Sequence, residues 1–240
     1  MKINHKYSPN HDEKTRLKRF INLIVIHYTG MQSERESINW LCNPKAKVSS
    51  HFVINQNGKI YRLVKDNQIA WHAGKSCWSK YNNINKNSIG IELVNKGHQF
   101  GYTNFKKKQL LSLIKICKNL IQKYKIKKKN IVGHSDIAPL RKIDPGEKFP
   151  WEKLAKKKIG IWHKFKPVFL SKLRGVKISK KDELQFFKYL NKIGYCFSFK
   201  NKYFLNKLIK AFQRHYRSEL INGIVDQECL IIAKNLSKSP

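Results

Sequence analysis

Residues 21–28 read INLIVIHY, an almost unbroken apolar run rich in β-branched side chains. Such a run predicts a strand that is buried on both faces, which is typical of a sheet covered by helices on both sides. A second run of this kind, IGIELV, occupies residues 89–94, and a shorter one begins at Ile131. These strands constrain the fold more than any other feature, because both faces of the sheet that they form must be covered.

The segments between these strands supply helices and a hairpin. Residues 34–42 and 105–124 are predicted helices, and in the second the apolar side chains recur at helical spacing with lysines on the other face. Residues 51–64 contain two strand-like runs joined around Asn57-Gly58, a strong hairpin signal. The predicted fold class is therefore α/β, a mixed central β-sheet flanked by helices.

The pattern changes after Trp151. Residues 155–181 are dense in lysine and show little periodic apolar order, and then helix-like segments follow at 182–193, 203–217 and 226–236. We therefore predict a first domain in residues 1–160, a linker in residues 161–180 and a small three-helix domain in residues 181–240. A bundle of about 60 residues is near the lower size limit of a stable domain.

The formal net charge of +35 suggests attraction to a polyanion, such as nucleic acid, an anionic membrane surface or an acidic wall polymer. The other interpretation is compositional drift with a generally solvated surface. A protein that reads nucleic acid is expected to use more arginine, yet 42 lysines stand against 8 arginines, spread over the whole length. We therefore predict no specific nucleic-acid partner.

Targeting signals and cysteine spacing indicate the cellular location and the state of the thiols. No apolar run reaches the roughly 18 residues that span a membrane, so no transmembrane segment is expected. The N-terminal residues lack the apolar core of a signal peptide, which predicts a cytoplasmic location, or the cell envelope or periplasm if a leader is missing from this sequence. The five cysteines are scattered and never spaced as CxxC, so most are expected to be small core residues, without a disulfide framework or a cysteine zinc site. The oligomeric state has no signature.

Residues 131–146, IVGHSDIAPLRKIDPG, set a histidine, two aspartates and a lysine close together. One interpretation is a polar loop in which Asp136 or Asp144 caps a turn. The other is half of a metal site, with His134 and Asp144 as ligands. His27, at the end of the buried strand, is a candidate third ligand. Two imidazoles and one carboxylate leave a fourth zinc position open, as a catalytic zinc site requires.

The words IVIHYTG, SSHFVINQNGKIYRLV, AWHAG, SIGIELVN, VGHSDIAPLRKIDPG and FPW follow one another in this order. Over roughly residues 5–155 the chain thereby resembles the type 2 N-acetylmuramoyl-L-alanine amidases, the family of the AmiD- and AmpD-type enzymes. The resemblance implies one zinc ion per chain, held by His27, His134 and Asp144. It also implies a peptidoglycan or muropeptide substrate, in which the amide bond between N-acetylmuramic acid and L-alanine is hydrolysed.

The resemblance further assigns roles around the metal. Glu92 matches the catalytic glutamate of the family, which can take a proton from water and pass it to the leaving amine. Lys142 matches a lysine beside the substrate carbonyl, where a cation stabilises an oxyanion. His51, Trp71 and His72 match words that shape the substrate groove. The other interpretation makes Trp71 a core residue and the two histidines partners of the backbone.

The C-terminal part has a resemblance of its own. The words LQFFKYLNKIGY, LIKAFQRHYR and INGIVDQECL resemble a three-helix peptidoglycan-binding domain, in which Asp226 would cap the last helix. The remaining histidines have no partner words and are expected on the surface: His5, His11, His98, His163 and His215.

A non-catalytic peptidoglycan recognition protein is the alternative function. Relatives of that kind typically lack a zinc ligand, whereas the full set of candidate residues is present here, so an enzyme is predicted. The sequence leaves open whether the substrate is intact wall, a muropeptide, an anhydro-muropeptide or a lipid-linked precursor.

Overall fold

The computed structural model describes residues 2–199 and 201–239, and within them the chain forms a six-stranded mixed sheet. The strands are β1 (Ile3–His5), β2 (Leu23–Tyr28), β3 (Phe52–Ile54), β4 (Ile60–Arg62), β5 (Ser88–Leu93) and β6 (Ile131–Gly133). Their order across the sheet is β1-β4-β3-β5-β2-β6. The hairpin of β3 and β4 is antiparallel and the other described pairs are parallel, which confirms the predicted α/β class.

Helices connect and cover the strands. They are α1 (Glu34–Cys42), α2 (Ile84–Asn87), α3 (Gly97–Phe100), α4 (Lys107–Tyr124), α5 (His134–Ile137), α6 (Trp151–Ala155), α7 (Pro167–Ser171), α8 (Lys180–Ile193), α9 (Lys202–Tyr216) and α10 (Gln227–Leu236). Asp226 caps α10 as predicted, since its carboxylate accepts a hydrogen bond of 2.8 Å from the Cys229 N–H. None of the helices in the described part of the chain is long and apolar enough to cross a bilayer.

The central strand β2 is buried on both faces, as its apolar run predicts. Leu23 and Val25 belong to a core shared with α8, α9 and α10. Ile24 and Ile26 belong to a second core that contains the apolar face of α4. Because side chains alternate along a strand, one six-residue strand holds both layers of helices to the sheet.

The C-terminal helices pack directly on the sheet. Helices α8, α9 and α10 confirm the predicted helical segments, with their ends shifted by one or two residues. The predicted linker at 161–180 contains α7 and buries Ile161 and Leu170 in the core shared with these helices. Since that core is continuous across residues 160 and 181, the division of the chain into separate domains stays a prediction.

Two expectations from the sequence are wrong. His163 and His215 are buried rather than on the surface, with 9% and 3% of their area exposed. A disulfide joins Cys77 to Cys196, which are 119 residues apart, a separation without any sequence signature. The expectation of core cysteines is confirmed for Cys117 and Cys229, which are buried.

Reduction of the disulfide should destabilise the protein. Opening a cross-link between residues 119 apart raises the entropy of the unfolded chain, and the expected loss is about 2–5 kcal/mol of unfolding free energy. Urea unfolding of a Cys77→Ser/Cys196→Ser double variant measures it. Cys42→Ser, which alters a half-buried free thiol, is the matched control. Equal unfolding free energies for the double variant and the wild type would contradict the expectation.

Candidate metal centre and cleft

Neighbouring parallel strands bring the candidate residues to one edge of the sheet. β5, β2 and β6 lie side by side, and the register pairs His27 with Glu92 across β2 and β5. On the other side of β2, Ile26 pairs with Gly133, so His134 follows β6 beside His27. Because the carboxyl ends of parallel strands meet at the same edge, residues that are 42 to 107 positions apart become neighbours.

His27, His134 and Asp144 converge on one point. The His27 Nδ1 lies 2.9 Å from the His134 Nδ1, and the Asp144 Oδ2 lies 3.2 and 3.1 Å from these two nitrogens. Asp144 arrives on the loop that follows α5, and the Ser135 N–H holds this loop by donating to the Asp144 carbonyl oxygen at 2.9 Å. All three side chains are buried. The structure therefore assembles the predicted ligand set.

The far sides of both imidazoles are occupied, which fixes the nitrogen that faces the cluster. The His134 Nε2–H donates to the Ala73 carbonyl oxygen at 3.2 Å, so its Nδ1 keeps a lone pair. The His27 Nε2 lies 3.0 Å from the His72 Nδ1, and the His72 Nε2 lies 3.1 Å from the Ser88 Oγ. With His27 donating to His72 and His72 donating to Ser88, the His27 Nδ1 also presents a lone pair.

The donor atoms fit a divalent metal ion. Ligands held at about 2.0–2.1 Å in tetrahedral positions lie about 3.3 Å from one another. The donors here are separated by 2.9–3.2 Å and comprise two imidazole nitrogens and one carboxylate oxygen. His27, His134 and Asp144 can therefore hold a metal ion.

The charge states suit the same role. Burial, with a contribution from His134, lowers the pKa of His27 to about 4, so this imidazole is neutral near pH 7. Burial alone would raise the pKa of Asp144, but the positive charge and the N–H groups that the two adjacent imidazoles carry when protonated hold it well below its usual range. Near pH 7 the site therefore offers a neutral His27 nitrogen and an ionised Asp144 carboxylate, which are the forms that bind metal.

The Glu92 carboxyl group is buried and lacks a hydrogen-bond donor for one of its oxygens, Oε2, among the described residues. Burial raises the pKa of Glu92 to about 8, the negative charge of Asp144 adds to the rise, and Lys142 opposes it. A bound cation would lower this pKa again. Glu92 can therefore exchange a proton near neutral pH.

A cleft of about 340 Å³ opens over these residues. Its walls include His27, Trp71, His72, Glu92, His134, Lys142 and Asp144. Trp40, Val48 and Ile143 give its rim an exposed apolar surface. A larger cavity, of about 490 Å³, lies beside Trp162 and holds none of the candidate ligands, so volume alone does not choose the site.

The three residues predicted to shape the groove occupy different depths. Trp71 borders the cleft, and its Nε1–H donates to Asp12 at 2.6 Å. His72 lies behind His27, where a Cβ on Gly90 would come within 2.5 Å of its ring. His51 is fully buried, and the Gly90 N–H donates to its Nδ1 at 3.0 Å. Contact of these residues with a substrate stays a prediction.

Comparison with known proteins identifies the family. Residues 17–147, more than half of the chain, match the family described as N-acetylmuramoyl-L-alanine amidase. The chain belongs to this amidase family. The match contains His27, Glu92, His134, Lys142 and Asp144, which lie in the cleft.

Several relatives of this amidase-family chain are similar over most of their length. Escherichia coli N-acetylmuramoyl-L-alanine amidase AmiD is 36% identical over 229 residues, which cover 90% of this chain and 82% of AmiD. Haemophilus influenzae 1,6-anhydro-N-acetylmuramyl-L-alanine amidase AmpD is 35% identical over 164 residues, covering 61% of this chain and 86% of AmpD. The predictions of an amidase and of an enzyme are confirmed.

Solved structures agree with this assignment. E. coli AmiD, in complex with the substrate anhydro-N-acetylmuramic acid-L-Ala-D-gamma-Glu-L-Lys, matches with a TM-score of 0.80 at 34% identity and covers 94% of this chain and 91% of its own. Pseudomonas aeruginosa AmpDH3, in complex with anhydromuramic pentapeptide, matches with a TM-score of 0.79 at 30% identity and covers 95% of each chain. The shared fold includes most of the C-terminal helices. These relatives give no support to the alternative of a non-catalytic recognition protein.

Sequence reasoning missed the groups that support the amidase-family ligands from behind. The Ala73 carbonyl oxygen fixes His134, and a backbone group carries no sequence signature. Ser88 fixes His72 by a hydrogen bond. The sequence signal for this contact lay in SIG at residues 88–90, because Gly90 leaves room for the His72 ring.

Proposed function

We propose that this protein is a zinc-dependent N-acetylmuramoyl-L-alanine amidase that acts on muropeptides. The observation that carries the proposal is the convergence of His27, His134 and Asp144 beside Glu92 at the carboxyl ends of adjacent parallel strands. The reaction would break the amide bond between the lactyl group of N-acetylmuramic acid and L-alanine, and release a stem peptide.

Zinc suits the donor set. Two histidines and one carboxylate are the ligands of many catalytic zinc sites, which leave a further position for water or substrate. Bound zinc polarises a carbonyl oxygen and lowers the pKa of water from about 15.7 to ~7. His27, His134 and Asp144 would hold the ion at the base of the cleft.

Glu92 and Lys142 would divide the remaining chemistry. The Glu92 carboxylate takes the proton from the attacking water and then delivers it to the nitrogen of the leaving L-alanine, so one group serves as base and acid. Lys142 lines the same cleft, and its ammonium group would supply a positive charge for the carbonyl oxygen as that oxygen becomes negative. Its charge already acts on Glu92, where it opposes the rise in pKa.

The substrate class follows from the relatives. AmiD and AmpDH3 were solved with anhydro-muropeptide ligands, and each is similar to this chain over more than nine tenths of its length. We therefore include anhydro-muropeptides in the proposed substrates. The exposed Trp40 and the partly exposed Trp71 at the cleft offer flat apolar faces for a sugar ring or a stem peptide.

Mass spectrometry of purified muropeptides incubated with the protein tests the proposal. We expect release of free stem peptide that begins at L-alanine, abolished by a chelator and restored by added zinc. Intact muropeptide under all three conditions, together with measurable binding, would instead establish a recognition protein. Restoration by cobalt or manganese but not by zinc would refute the choice of metal.

We also propose that the protein works in the cell envelope. The Cys77–Cys196 disulfide supports an oxidising compartment, since cytosolic thiols are kept reduced. Trapping of free thiols in intact cells, followed by electrophoresis, tests this. Recovery of the protein with both cysteines alkylated would place it in a reducing compartment.

A further inference from the structure

A buried carboxylate joins the metal centre to the C-terminal helices. The Asp136 side chain is 2% exposed. Its Oδ2 accepts hydrogen bonds from the Gly133 N–H and from the His215 Nδ1, both at 2.7 Å, and its Oδ1 accepts one from the Tyr195 hydroxyl at 2.7 Å. Tyr195 follows α8 and His215 lies in α9, so the donors beyond its own turn come from the C-terminal part of the chain.

Burial of the Asp136 carboxylate costs free energy unless both of its oxygens are hydrogen-bonded. A buried carboxylate is tolerated only when donors satisfy its oxygens, and removing one donor leaves a buried charge with an open site. Asp136 lies two residues after His134 on the single turn of α5, and Gly133 directly precedes His134. The hydrogen bonds to Asp136 therefore hold the backbone that carries the His134 imidazole.

The two C-terminal donors are themselves held in place. Next to Tyr195, Cys196 is linked by a disulfide to Cys77, whose N–H donates to the Ile137 carbonyl oxygen of α5 at 3.0 Å. His215 is stacked on Trp151, with ring centroids 3.8 Å apart and planes 15° apart. Neither donor can move without disturbing a covalent link or a packed ring.

We propose that Tyr195 and His215 are positioning residues for the amidase reaction: through Asp136 they fix His134 in the geometry that binds the metal. This inference rests on the metal-binding role of His134 proposed above. It gives the C-terminal helices a part in the catalytic centre that does not require them to bind the wall. Metal affinity then depends both on residues of the sheet and on residues more than 50 positions from Asp136 in sequence.

Zinc affinity of the full-length protein tests the inference. The dissociation constant is measured by competition with a chromophoric chelator, well below the unfolding temperature. We expect Tyr195→Phe to weaken zinc binding about 10-fold, as is typical for partners that orient a ligand. Tyr124→Phe is the matched control, because its hydroxyl donates to the buried Asp66 at the same 2.7 Å, and Asp66 is paired with Arg62 and Lys123. The control should bind zinc like the wild type.

A second pair of variants changes His215, the donor to Asp136 that lies in α9. His215→Leu removes the donor and should weaken zinc binding about 10-fold, whereas His215→Asn keeps an amide N–H where Nδ1 lies and should stay within about 3-fold of the wild type. The visible spectrum of the cobalt-loaded proteins should change for Tyr195→Phe and His215→Leu but not for Tyr124→Phe. A purely structural role would lower the stability of all of these variants without this pattern.

The outcomes separate this inference from the proposed function. Tight zinc binding by the wild type that is unchanged in Tyr195→Phe and His215→Leu would overturn the positioning role and leave the proposed function intact. Equal weakening by Tyr195→Phe and Tyr124→Phe would also overturn it. Absence of zinc binding by the wild type would refute the metal centre, and the inference with it.

Discussion

Replacement of Glu92 by glutamine should reduce amide hydrolysis by about 10²–10⁴-fold, the usual contribution of a positioned proton carrier. Glutamine keeps the shape of the side chain but cannot take a proton from water or deliver one to the leaving amine. Because Glu92 is not one of the candidate ligands, zinc binding should remain. The measurement is kcat/KM for stem-peptide release, together with the zinc content of the purified variant.

The same substitution should stabilise the metal-free protein, with a defined pH dependence. Burial raises the pKa of Glu92 from 4.5 to about 8 in the folded state. Between these two values the folded state holds a proton on Glu92 that the unfolded chain has released, so the contribution of Glu92 to stability falls as the pH rises from about 4.5 to about 8. Glutamine cannot ionise, so the advantage of the variant should grow through this window and level off above it.

Urea unfolding of the metal-free proteins at pH 4.5, 6 and 8 measures this advantage. Glu147→Gln is the matched control, since its carboxylate is partly exposed and pairs with His98 outside the cleft. That control should stay within about 0.5 kcal/mol of the wild type, as is usual for surface changes. A Glu92→Gln variant that retains activity within 10-fold would exclude Glu92 as the proton carrier.

Much of the site could be predicted because the strands that carry it, β5, β2 and β6, are parallel. Apolar runs identify β2 and β5, and in parallel strands the residues that follow such runs meet at one edge. His27 and Glu92 are thus neighbours by register, and His134 joins them directly after β6. Asp144 lies on a loop, where strand register predicts no position, so its choice over Asp136 needed the support of the resemblance to the amidases.

The rest could not be predicted, because it depends on contacts that no spacing pattern records. Asp136 was expected to cap a turn at most, and it does accept the Gly133 N–H, but its other donors are 59 and 79 residues away. His215 was expected on the surface because the sequence around it offers no partner. The disulfide partner of Cys77 is likewise set by the docking of the C-terminal helices on the sheet.

The short edge strand β1 was missed for a different reason. It has only three residues, Ile3–His5, and pairs in parallel with β4 at the edge of the sheet. Edge strands of this length bury little apolar surface, so the apolar run that reveals β2 is absent. Its position is decided by the hydrogen bonds that β4 offers and not by its own composition.

Asp144→Asn should abolish hydrolysis at limiting zinc. Asparagine occupies the same space but replaces the carboxylate oxygen that lies about 3 Å from both imidazole nitrogens with a neutral amide. Loss of a residue that only orients a ligand costs about 10–100-fold in metal affinity, so loss of a charged ligand should cost more than about 100-fold. The zinc-dependent stabilisation of the fold should vanish with it.

That stabilisation gives a readout independent of turnover. A metal present at 100 times its dissociation constant stabilises a folded protein by about 2.7 kcal/mol, so zinc should raise the unfolding temperature of the wild type but not of Asp144→Asn. Asp66→Asn is the matched control, because Asp66 and Asp144 are equally buried at 7% exposure and Asp66 pairs with Arg62 and Lys123 instead. It should lower the unfolding temperature and leave the response to zinc unchanged. If Asp144→Asn still responds to zinc as the wild type does, the ion is held elsewhere, and the convergence of His27, His134 and Asp144 is structural only.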